Sequence, residues 1–565
     1  MKMIGAQAIV KCLEEQGVEV MFGFPGGVII DLFDELEKSN ITNVLVRHEQ
    51  AAVHAADAYG RVKGDVGVAL VTSGPGATNT VTGIASAYMD SIPMVVFTGQ
   101  VPTALIGNDA FQEVDIIGIT RPCTKHNYLV KNPDELVDII REAFYIARTG
   151  RPGPVVVDLP KDVVMGMVKF TEPKPIKMQT YRPTYEPHPG QIAKACKEIL
   201  KAKKPVIYAG GGVILSDSSE ELTELATKLN IPVAMTLMGL GGFPGTHKLS
   251  LGMLGMHGTY YSNMAVSKSD LLIAVGARFD DRVTGKLDAF APNAKIIHID
   301  IDPTSISKNV HVDIPIVADC KYALTAMNRW FDVQDDFNKK EQGKKLAPWL
   351  SEIKKWKNKH PLGYVEEGDI IKPQFVVQKL HELTKGEAII TTEVGQNQMW
   401  AAQFYQFNYP RHFMTSGGLG VMGYGFPAAI GAQMAAPDKI VIDVAGDGSI
   451  QMNIQELATA RQYKCPVKIA ILNNAYLGMV RQWQELFYDK RYAGTDLEVA
   501  PDFVKLAEAY GAVGLRATKK GEVVPVIKEA LKTRNTVIMD FVIAREEGVF
   551  PMVPAGKATT EMLLA

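Results

Sequence analysis

The sequence KIVIDVAGDGS at residues 439–449, followed by KIAILNN at residues 468–474, contains the pattern that decides the fold. Each run is a short apolar segment that ends in small or polar residues, which is typical of a buried strand in a parallel sheet. Residues 449–472 leave room for one crossover helix, so both strands are expected to end at the same edge of the sheet. The sequence therefore predicts an α/β domain with a ligand site at that edge.

Asp447 and Asn474 follow these two strands and are expected to share one cation. Carboxylate, amide and backbone carbonyl oxygens suit Mg²⁺, and the carbonyl would be that of Tyr476. Glycines on either side of Asp447 let the backbone approach a diphosphate, and the N-terminus of the next helix would add positive potential. A plain turn or a helix cap would explain either half alone. The GDG and NN pair at this distance resembles the motif of the thiamine diphosphate enzyme family.

Two earlier parts of the chain repeat the alternation of apolar strands and amphipathic helices. A chain of 565 residues also exceeds the size that one hydrophobic core usually serves. We therefore predict three doubly wound parallel-sheet domains of the α/β class. The strands are expected at residues 20–23, 44–46, 66–72, 94–98 and 155–159, then at 205–209, 232–235, 271–275 and 295–301, and finally at 388–391, 439–444, 467–473 and 537–542.

The predicted boundaries follow composition. Residues 171–190 hold five prolines without apolar periodicity and form a linker, and residues 336–370 form a second linker that begins with a solvated helix. The domains are then 1–170, 191–335 and 371–545. The apolar, proline-containing tail at 546–565 is expected to fold over the active site as a lid.

Bulk composition excludes several classes of function. The formal charge of −2 and the charged fraction of 22% provide no basic surface for nucleic acid. The five scattered cysteines form no CxxC pair and are expected to be reduced thiols. No signal peptide and no run of 18 apolar residues is present, so no membrane span is expected. The expected compartment is the cytoplasm, or an organelle if a transit peptide has been removed.

A competing motif is GLGVMG at residues 418–423, a formal GxGxxG with Asp443 twenty residues after Gly423. Alone it would indicate a nicotinamide dehydrogenase. The preceding strand at 412–415 is short, however, and Asp443 lies on the strand already assigned to the diphosphate site. The resemblance to thiamine diphosphate enzymes instead implies that Met422 holds the cofactor bent and that the Gly420 carbonyl faces its aminopyrimidine.

Glu49 is the candidate activating acid. Thiamine chemistry needs a carboxyl group at the aminopyrimidine ring nitrogen, and Glu49 stands between a predicted strand and an apolar helix, where burial can raise its proton affinity. A first-turn carboxylate that only complements the helix dipole is the structural alternative.

Further motifs make the resemblance specific to the acetohydroxyacid synthase family over nearly the whole chain. RHEQAAVHAADAYGR at 47–61 and TSGPGATN at 72–79 resemble the family's pyrimidine-binding domain, so the three domains would bind pyrimidine, FAD and diphosphate in that order. The narrower signals are DAFQE at 109–113, RPGP at 151–154, RFDDRVTGK at 278–286 and LGMVRQW at 477–483.

The resemblance implies roles for further residues. Gly27 and Gln112 would lie near the reacting carbonyl, Phe111 and Met479 would form pocket walls, and Lys161 would line the access channel. Trp483 would restrict the second-substrate site in favour of 2-ketobutyrate over pyruvate, a preference of about 1–3 kcal/mol for one methylene. The diphosphate would be held by Gln396, Asn397, Gly448 and Ser449, although the family often has His at position 397.

The central domain resembles the family's FAD-binding domain, in which the flavin performs no net redox chemistry. The implied contacts are Arg151, Gly210, Gly211, Gly212, Thr236, Leu237, Met238, Met256, His257, Arg278, Asp281, Arg282, Asp300 and Asp319.

The resemblance implies an enzyme of branched-chain amino-acid biosynthesis that decarboxylates pyruvate and transfers the two-carbon unit to pyruvate or 2-ketobutyrate. Glu49 of one subunit would reach the cofactor of another, so a homodimer or homotetramer is expected. The resemblance also implies a separate regulatory subunit as a partner. The main alternative is a flavin-dependent pyruvate oxidase. A catalytically silent partner subunit and a dehydrogenase are further alternatives.

Overall fold

The computed structural model describes residues 1–334 and 337–564, and it contains three six-stranded parallel sheets flanked by helices. The predicted fold class is therefore confirmed. The predicted boundary between residues 335 and 336 and the last residue of the predicted lid lie outside the described residues. Within those residues, no helix is long and apolar enough to cross a membrane.

The first sheet has the strand order β3-β2-β4-β5-β7-β6, and a separate antiparallel pair joins β1 to β8. Its strands are β1 (Lys2–Ile4), β2 (Val20–Phe24), β3 (Thr42–Leu45), β4 (Gly67–Val71), β5 (Met94–Gln100), β6 (His126–Leu129), β7 (Pro154–Pro160) and β8 (Met167–Lys169). Its helices are α1 (Gly5–Glu15), α2 (Ile30–Leu36), α3 (Glu49–Lys63), α4 (Pro75–Thr78), α5 (Val81–Asp90), α6 (Ile116–Thr120), α7 (Leu136–Arg148) and α8 (Lys161–Met165).

The central sheet has the order β11-β10-β9-β12-β13-β14. Its strands are β9 (Pro205–Ala209), β10 (Val233–Met235), β11 (Ser250–Met253), β12 (Leu271–Val275), β13 (Lys295–Asp300) and β14 (Ile314–Val317). The helices are α9 (Pro189–Lys201), α10 (Gly211–Leu215), α11 (Ser219–Leu229), α12 (Tyr260–Lys268), α13 (Asp281–Thr284), α14 (Cys320–Asp332) and α15 (Lys339–Lys359).

The third sheet has the order β16-β15-β17-β18-β20-β19. Its strands are β15 (Ile389–Thr392), β16 (Phe413–Met414), β17 (Val441–Gly446), β18 (Lys468–Asn473), β19 (Val513–Ala517) and β20 (Val537–Val542). The helices are α16 (Pro373–Thr384), α17 (Gln396–Phe404), α18 (Gly425–Ala435), α19 (Leu457–Gln462), α20 (Gly478–Phe487), α21 (Phe503–Ala509) and α22 (Val523–Lys532).

Helix α15 is less solvated than its composition predicts. Trp349 is 2% exposed, packs in an apolar cluster of the central domain with Ile353, and donates its indole N–H to the Pro205 carbonyl at 3.1 Å. One face of the helix is therefore part of the central core, and only the opposite face carries the charges to solvent.

The first and third domains pack directly on each other through α3 and α18. Gly431 of α18 permits the close crossing, because a Cβ there would lie 2.0 Å from the Ala55 carbonyl oxygen of α3. Beside this crossing, buried Arg61 pairs with Asp57 at 2.6 Å and with Asp90 at 3.2 Å. The paired carboxylates compensate the cost of burying this guanidinium, so the domain contact is both close-packed and charge-balanced.

The tail packs against the central domain. Val549, Met552 and Val553 are buried, and the Val553 N–H donates to the Met256 carbonyl oxygen at 2.8 Å. The tail lies beside a proposed flavin contact, and its action as a lid stays a prediction.

Candidate active site

Asp447 and Asn474 meet where β17 and β18 end. The strands are in parallel register, with Gly446 opposite Leu472, and the Asn474 backbone N–H donates to one Asp447 carboxylate oxygen at 3.4 Å. The other carboxylate oxygen, Oδ2, is buried without a partner in the described part of the chain. Burial raises the pKa of Asp447 to about 7. An unsatisfied buried carboxylate beside an amide oxygen fits a hard cation such as Mg²⁺.

The other residues predicted to hold a diphosphate surround this pair. Gln396 accepts a hydrogen bond from the Asn474 side chain at 3.2 Å, and Asn397 donates to the Val444 carbonyl at 2.8 Å. Ser449 accepts from the Gly446 N–H at 3.2 Å, and the Tyr476 N–H donates to the Asn474 side chain at 3.2 Å. We call this set the diphosphate edge; it comprises Gln396, Asn397, Asp447, Gly448, Ser449, Asn474 and Tyr476.

The helix predicted directly after GDGS does not begin there. The chain first makes two 3₁₀ turns, Ile450–Met452 and Ile454–Glu456, and the α-helix starts only at Leu457. The regular helix terminus at the diphosphate edge is that of α17, whose first residue is Gln396. The N-terminus of α17 and the 3₁₀ turn Ile450–Met452 therefore lie at this edge, and only the expectation that an α-helix follows GDGS directly was wrong.

The nicotinamide alternative is wrong because Asp443 is buried inside the sheet. It is fully buried, accepts from the Thr391 hydroxyl at 3.2 Å, and has a raised pKa caused by burial and by neighbouring Glu393. A ribose needs an accessible carboxylate, so the fingerprint fails at this residue.

Glu393, which the sequence reasoning missed, fixes the glycine-rich loop instead. Its carboxylate accepts the Gly423 N–H at 2.6 Å and the Phe426 N–H at 3.0 Å, and its burial raises its pKa. The loop that carries Gly420 and Met422 is thereby anchored from β15. The signal was the acidic residue directly after a buried strand, in TTEVGQ at 391–396.

A cavity of about 700 Å³, a volume typical of cofactor sites, lies mainly between the central and third domains, and residues 89–91, 148 and 150–152 of the first domain complete its lining. We call it the two-domain cavity. Its central-domain wall follows the carboxyl ends of β9, β10, β12 and β13. The lining of the whole cavity includes every residue predicted to contact FAD except Asp281. These residues are Arg151, Gly210, Gly211, Gly212, Thr236, Leu237, Met238, Met256, His257, Arg278, Arg282, Asp300 and Asp319.

The two-domain cavity has the chemistry that a dinucleotide requires. A Cβ on Gly210 would lie 2.2 Å from the Gly276 carbonyl oxygen, so the backbones approach closely at the strand ends. Arg151 and Arg278 supply planar donors suited to phosphate. Asp281 is the exception to the predicted set: its side chain is 79% exposed and does not line the cavity. Asp281 is the first residue of α13.

Gly420, Met422, Met479 and Trp483 line the third-domain wall of the same cavity. Met479 and Trp483 lie on α20, which starts five residues after Asn473, the last residue of β18. The glycine-rich loop, α20 and the central domain therefore share one apolar space. The predicted second-substrate residues and the predicted flavin residues therefore line the same cavity.

The residues predicted from the first domain form a separate group around Glu49, at the start of α3. Glu49 is half-buried and accepts a hydrogen bond from the Asn79 side chain at 2.9 Å. Lys161 donates to the Gly27 carbonyl at 3.4 Å, and Gln112, in the left-handed backbone region at φ 59°, packs against Gly74. We call Gly27, Glu49, Phe111, Gln112 and Lys161 the activating-acid cluster.

Within one chain the activating-acid cluster and the two-domain cavity are separate. None of the five cluster residues lines that cavity, and among the described residues no side-chain hydrogen bond joins Glu49, Gln112 or Lys161 to the third domain. Phe111 is 88% exposed, so in a single chain it walls no pocket. Its predicted role requires a second surface to cover it.

Three family models match the chain in the order of its domains. The model described as "Thiamine pyrophosphate enzyme, N-terminal TPP binding domain" matches residues 3–119, the central-domain model matches 192–327, and the "C-terminal TPP binding domain" model matches 393–541. Thiamine pyrophosphate is another name for thiamine diphosphate.

Curated relatives match over nearly the full length. An acetolactate synthase large subunit of Buchnera aphidicola subsp. Schizaphis graminum is 52% identical, covering 99% of this chain and 98% of the relative. The acetolactate synthase isozyme 3 large subunit of Escherichia coli K12 is 49% identical, with coverage of 99% and 98%. An acetolactate synthase large subunit of Corynebacterium glutamicum is 50% identical, with coverage of 100% and 90%.

Proposed function

Because the chain belongs to the acetolactate synthase family of thiamine pyrophosphate enzymes, we propose that it decarboxylates pyruvate and joins the remaining two-carbon unit to pyruvate or 2-ketobutyrate. The products would be 2-acetolactate and 2-aceto-2-hydroxybutyrate. The observation that carries the proposal is the pairing of Asp447 and Asn474, with an unsatisfied carboxylate oxygen, within the region that matches the C-terminal TPP binding domain model. The relatives do not favour the oxidase alternative.

Asp447, the Asn474 side chain and the Tyr476 carbonyl would hold Mg²⁺, and Gln396, Asn397, Gly448 and Ser449 would receive the diphosphate. Thiamine diphosphate, when bound, supplies a nucleophilic carbon that adds to the keto group and accepts the electrons released as CO₂ departs. The Glu49 carboxyl would hold a proton at the aminopyrimidine ring nitrogen. Met422 and the Gly420 carbonyl would orient the cofactor from the anchored glycine-rich loop.

The pocket residues would act on the substrates. Met479 and Phe111 would exclude water from the reacting carbon, which favours loss of a charged carboxylate. Gln112 would donate to the keto oxygen near Gly27, Lys161 would line the entry, and Trp483 would select the second substrate by the size of its alkyl group.

The separation of the activating-acid cluster from the two-domain cavity supports a cross-subunit site. We propose that a second copy of the chain brings its Glu49 to the cofactor held by the first, so a dimer is the smallest active unit and a tetramer is compatible with it. The printed name "large subunit" of the relatives supports a separate regulatory subunit as a further partner.

We propose FAD, without net redox turnover, as the occupant of the two-domain cavity. The arginines suit its diphosphate, and Asp300, at the end of β13, suits a ribose hydroxyl. The described structure leaves all five cysteines unpaired, which supports a reducing compartment such as the cytoplasm.

The test is acetolactate formation from pyruvate with Mg²⁺, thiamine diphosphate and FAD, with oxygen uptake recorded in parallel. We expect acetolactate without oxygen uptake, and a large loss of kcat in Glu49→Gln. Glu220→Gln is the matched control, because Glu220 is an exposed carboxylate in the first turn of α11 and belongs to no proposed site. Oxygen uptake without acetolactate would assign the chain to the oxidases. Equal activity of Glu49→Gln and wild type would remove Glu49 from the mechanism.

A further inference from the structure

We propose that Glu456 of the third domain is a positioning residue that holds Glu49 of the same chain in its working place. This inference rests on the proposed function, in which Glu49 serves the cofactor of a second copy. Its consequence is that the third domain of each chain supports the acid that acts on the other chain's cofactor.

The strand that leads to Glu49 lies at the edge of its sheet. β3 pairs only with β2, so alternate backbone groups of β3 face outward without a neighbouring strand. Side chains of the third domain form hydrogen bonds with these outward-facing backbone groups of β3. Tyr463 accepts the Leu45 N–H at 2.7 Å and donates its hydroxyl to the Asn43 carbonyl at 3.1 Å. Tyr463, which lies in sequence between Ser449 and Asn474 of the diphosphate edge, thus closes this part of the sheet edge.

Glu456 makes the contact nearest to Glu49. Both of its carboxylate oxygens accept the Arg47 N–H, at 3.0 and 3.1 Å, and the Thr459 hydroxyl donates to it at 2.6 Å. Glu456 is fully buried. A buried carboxylate is costly unless donors surround it, so this group is tied firmly to the Arg47 backbone, two residues before Glu49.

The Arg47 side chain reinforces the same contact. It donates to the Leu45 carbonyl at 3.0 Å and to the Gln462 side chain at 2.7 Å. His48, the next residue, caps α3 by accepting the Gln50 N–H. Leu45, Arg47 and His48, which lead into α3, are therefore each held by hydrogen bonds, and residues 456–463 hold Leu45 and Arg47.

Glu456 does not belong to the proposed cofactor site. Among the described residues it makes no hydrogen bond to Asp447, Ser449 or Asn474, and it does not line the two-domain cavity. Our inference therefore assigns its effect on catalysis to the position of Glu49. A displacement of about 1 Å costs on the order of a hundredfold in rate when a catalytic group is misplaced.

Mixed oligomers of two tagged full-length chains test this directly. The control pair combines Glu49→Gln with Asp447→Asn. Under the proposed cross-subunit arrangement, the intact Glu49 of one chain meets the intact diphosphate edge of the other, and roughly half of the wild-type activity returns from one of two symmetric sites. The test pair combines Glu49→Gln with Glu456→Ala. Because our inference places both defects on the activating acid, no activity above that of the Glu456→Ala homo-oligomer should return.

The outcomes separate the two ideas. If the control pair regains activity and the test pair does not, the inference holds. If both pairs regain activity, Glu456 acts on the cofactor site of its own chain, and the inference is overturned while the proposed function stands. If the control pair regains nothing, the cross-subunit arrangement fails and the inference fails with it.

Kinetics of the single variants give a second criterion. Glu456→Ala should lower kcat by about ten- to a hundredfold at saturating cofactor with the KM for thiamine diphosphate little changed. Glu456→Gln keeps an oxygen that accepts the Arg47 N–H and should recover most of kcat. If the alanine variant does not fold, Glu456→Asp takes its place in the mixed oligomers, because its carboxylate is one methylene shorter and cannot hold the Arg47 N–H in the same position. A raised cofactor KM with unchanged kcat, or unchanged kinetics in both variants, would overturn the inference.

Discussion

Gly431→Ala should weaken the packing of α18 of the third domain against α3 of the first domain. The new Cβ would lie 2.0 Å from the Ala55 carbonyl oxygen, whereas real Cβ contacts are essentially never shorter than 3.0 Å, so α3 and α18 must separate by about 1 Å. Overpacking of this kind costs about 1–3 kcal/mol, and the better helix propensity of alanine returns about 1 kcal/mol. The net loss should therefore be at most about 2 kcal/mol. Because α3 begins at Glu49, kcat should fall as well.

Gly343→Ala in α15 is the matched control, because a Cβ there meets nothing within 4 Å. This second helical glycine should gain about 0.4–1 kcal/mol on the same substitution. The unfolding temperatures of both variants are measured by calorimetry. For domains of this size, a change of 1 kcal/mol in the free energy of unfolding shifts that temperature by roughly 2–4 °C. A midpoint for Gly431→Ala equal to or above that of wild type, with unchanged kcat, would refute the argument from close helix crossing.

Three further predictions concern the cofactor and substrate sites. Burial raises the pKa of Asp447 to about 7, so a proton competes with Mg²⁺ below that pH, and the apparent Mg²⁺ affinity measured by activation should fall about tenfold per pH unit there. An affinity that does not change below pH 7 would contradict this. Trp483→Leu should lower the preference for 2-ketobutyrate over pyruvate by roughly ten- to two-hundredfold, as measured by the product ratio in competition. Gly210→Val should abolish retention of FAD after gel filtration, because its Cβ would meet the Gly276 carbonyl oxygen. Gly521→Val is the control and should retain FAD, because a Cβ at Gly521 meets nothing within 4 Å. Full flavin content in Gly210→Val would contradict the assignment of FAD to the cavity.

The interior of each sheet could be predicted from the sequence, but most of the edges could not. β4 and β12 are buried along their whole length and have continuous apolar sequences. The sheet strands that sequence patterns missed, β6, β11, β14 and β19, all lie at sheet edges. β14 contains Pro315 and β19 contains Gly514, residues that weaken a strand pattern and that edges tolerate.

Some residues of the candidate site could likewise be predicted from the sequence, and others could not. Asp447 and Asn474 follow long apolar strands, so their meeting follows from local pattern and the topology of parallel sheets. Glu393 and Glu456 were missed because each acts on backbone N–H groups far away in sequence, and nothing in the local pattern identifies such partners. Asp281 does not line the cavity, and the resemblance alone cannot distinguish the faces of one helical turn. The role of Phe111 stays a prediction, because it depends on a second subunit that covers this exposed side chain.

The two-domain cavity has a consequence for handling the protein. A molecule bound between two domains acts as a reversible cross-link, and by mass action an occupant at a hundred times its Kd stabilises the folded state by about 2.7 kcal/mol. Preparations stripped of that occupant should therefore open at this junction before they unfold, exposing α20 and the tail to proteases. Resistance to limited digestion then becomes a measure of how fully the cavity is occupied.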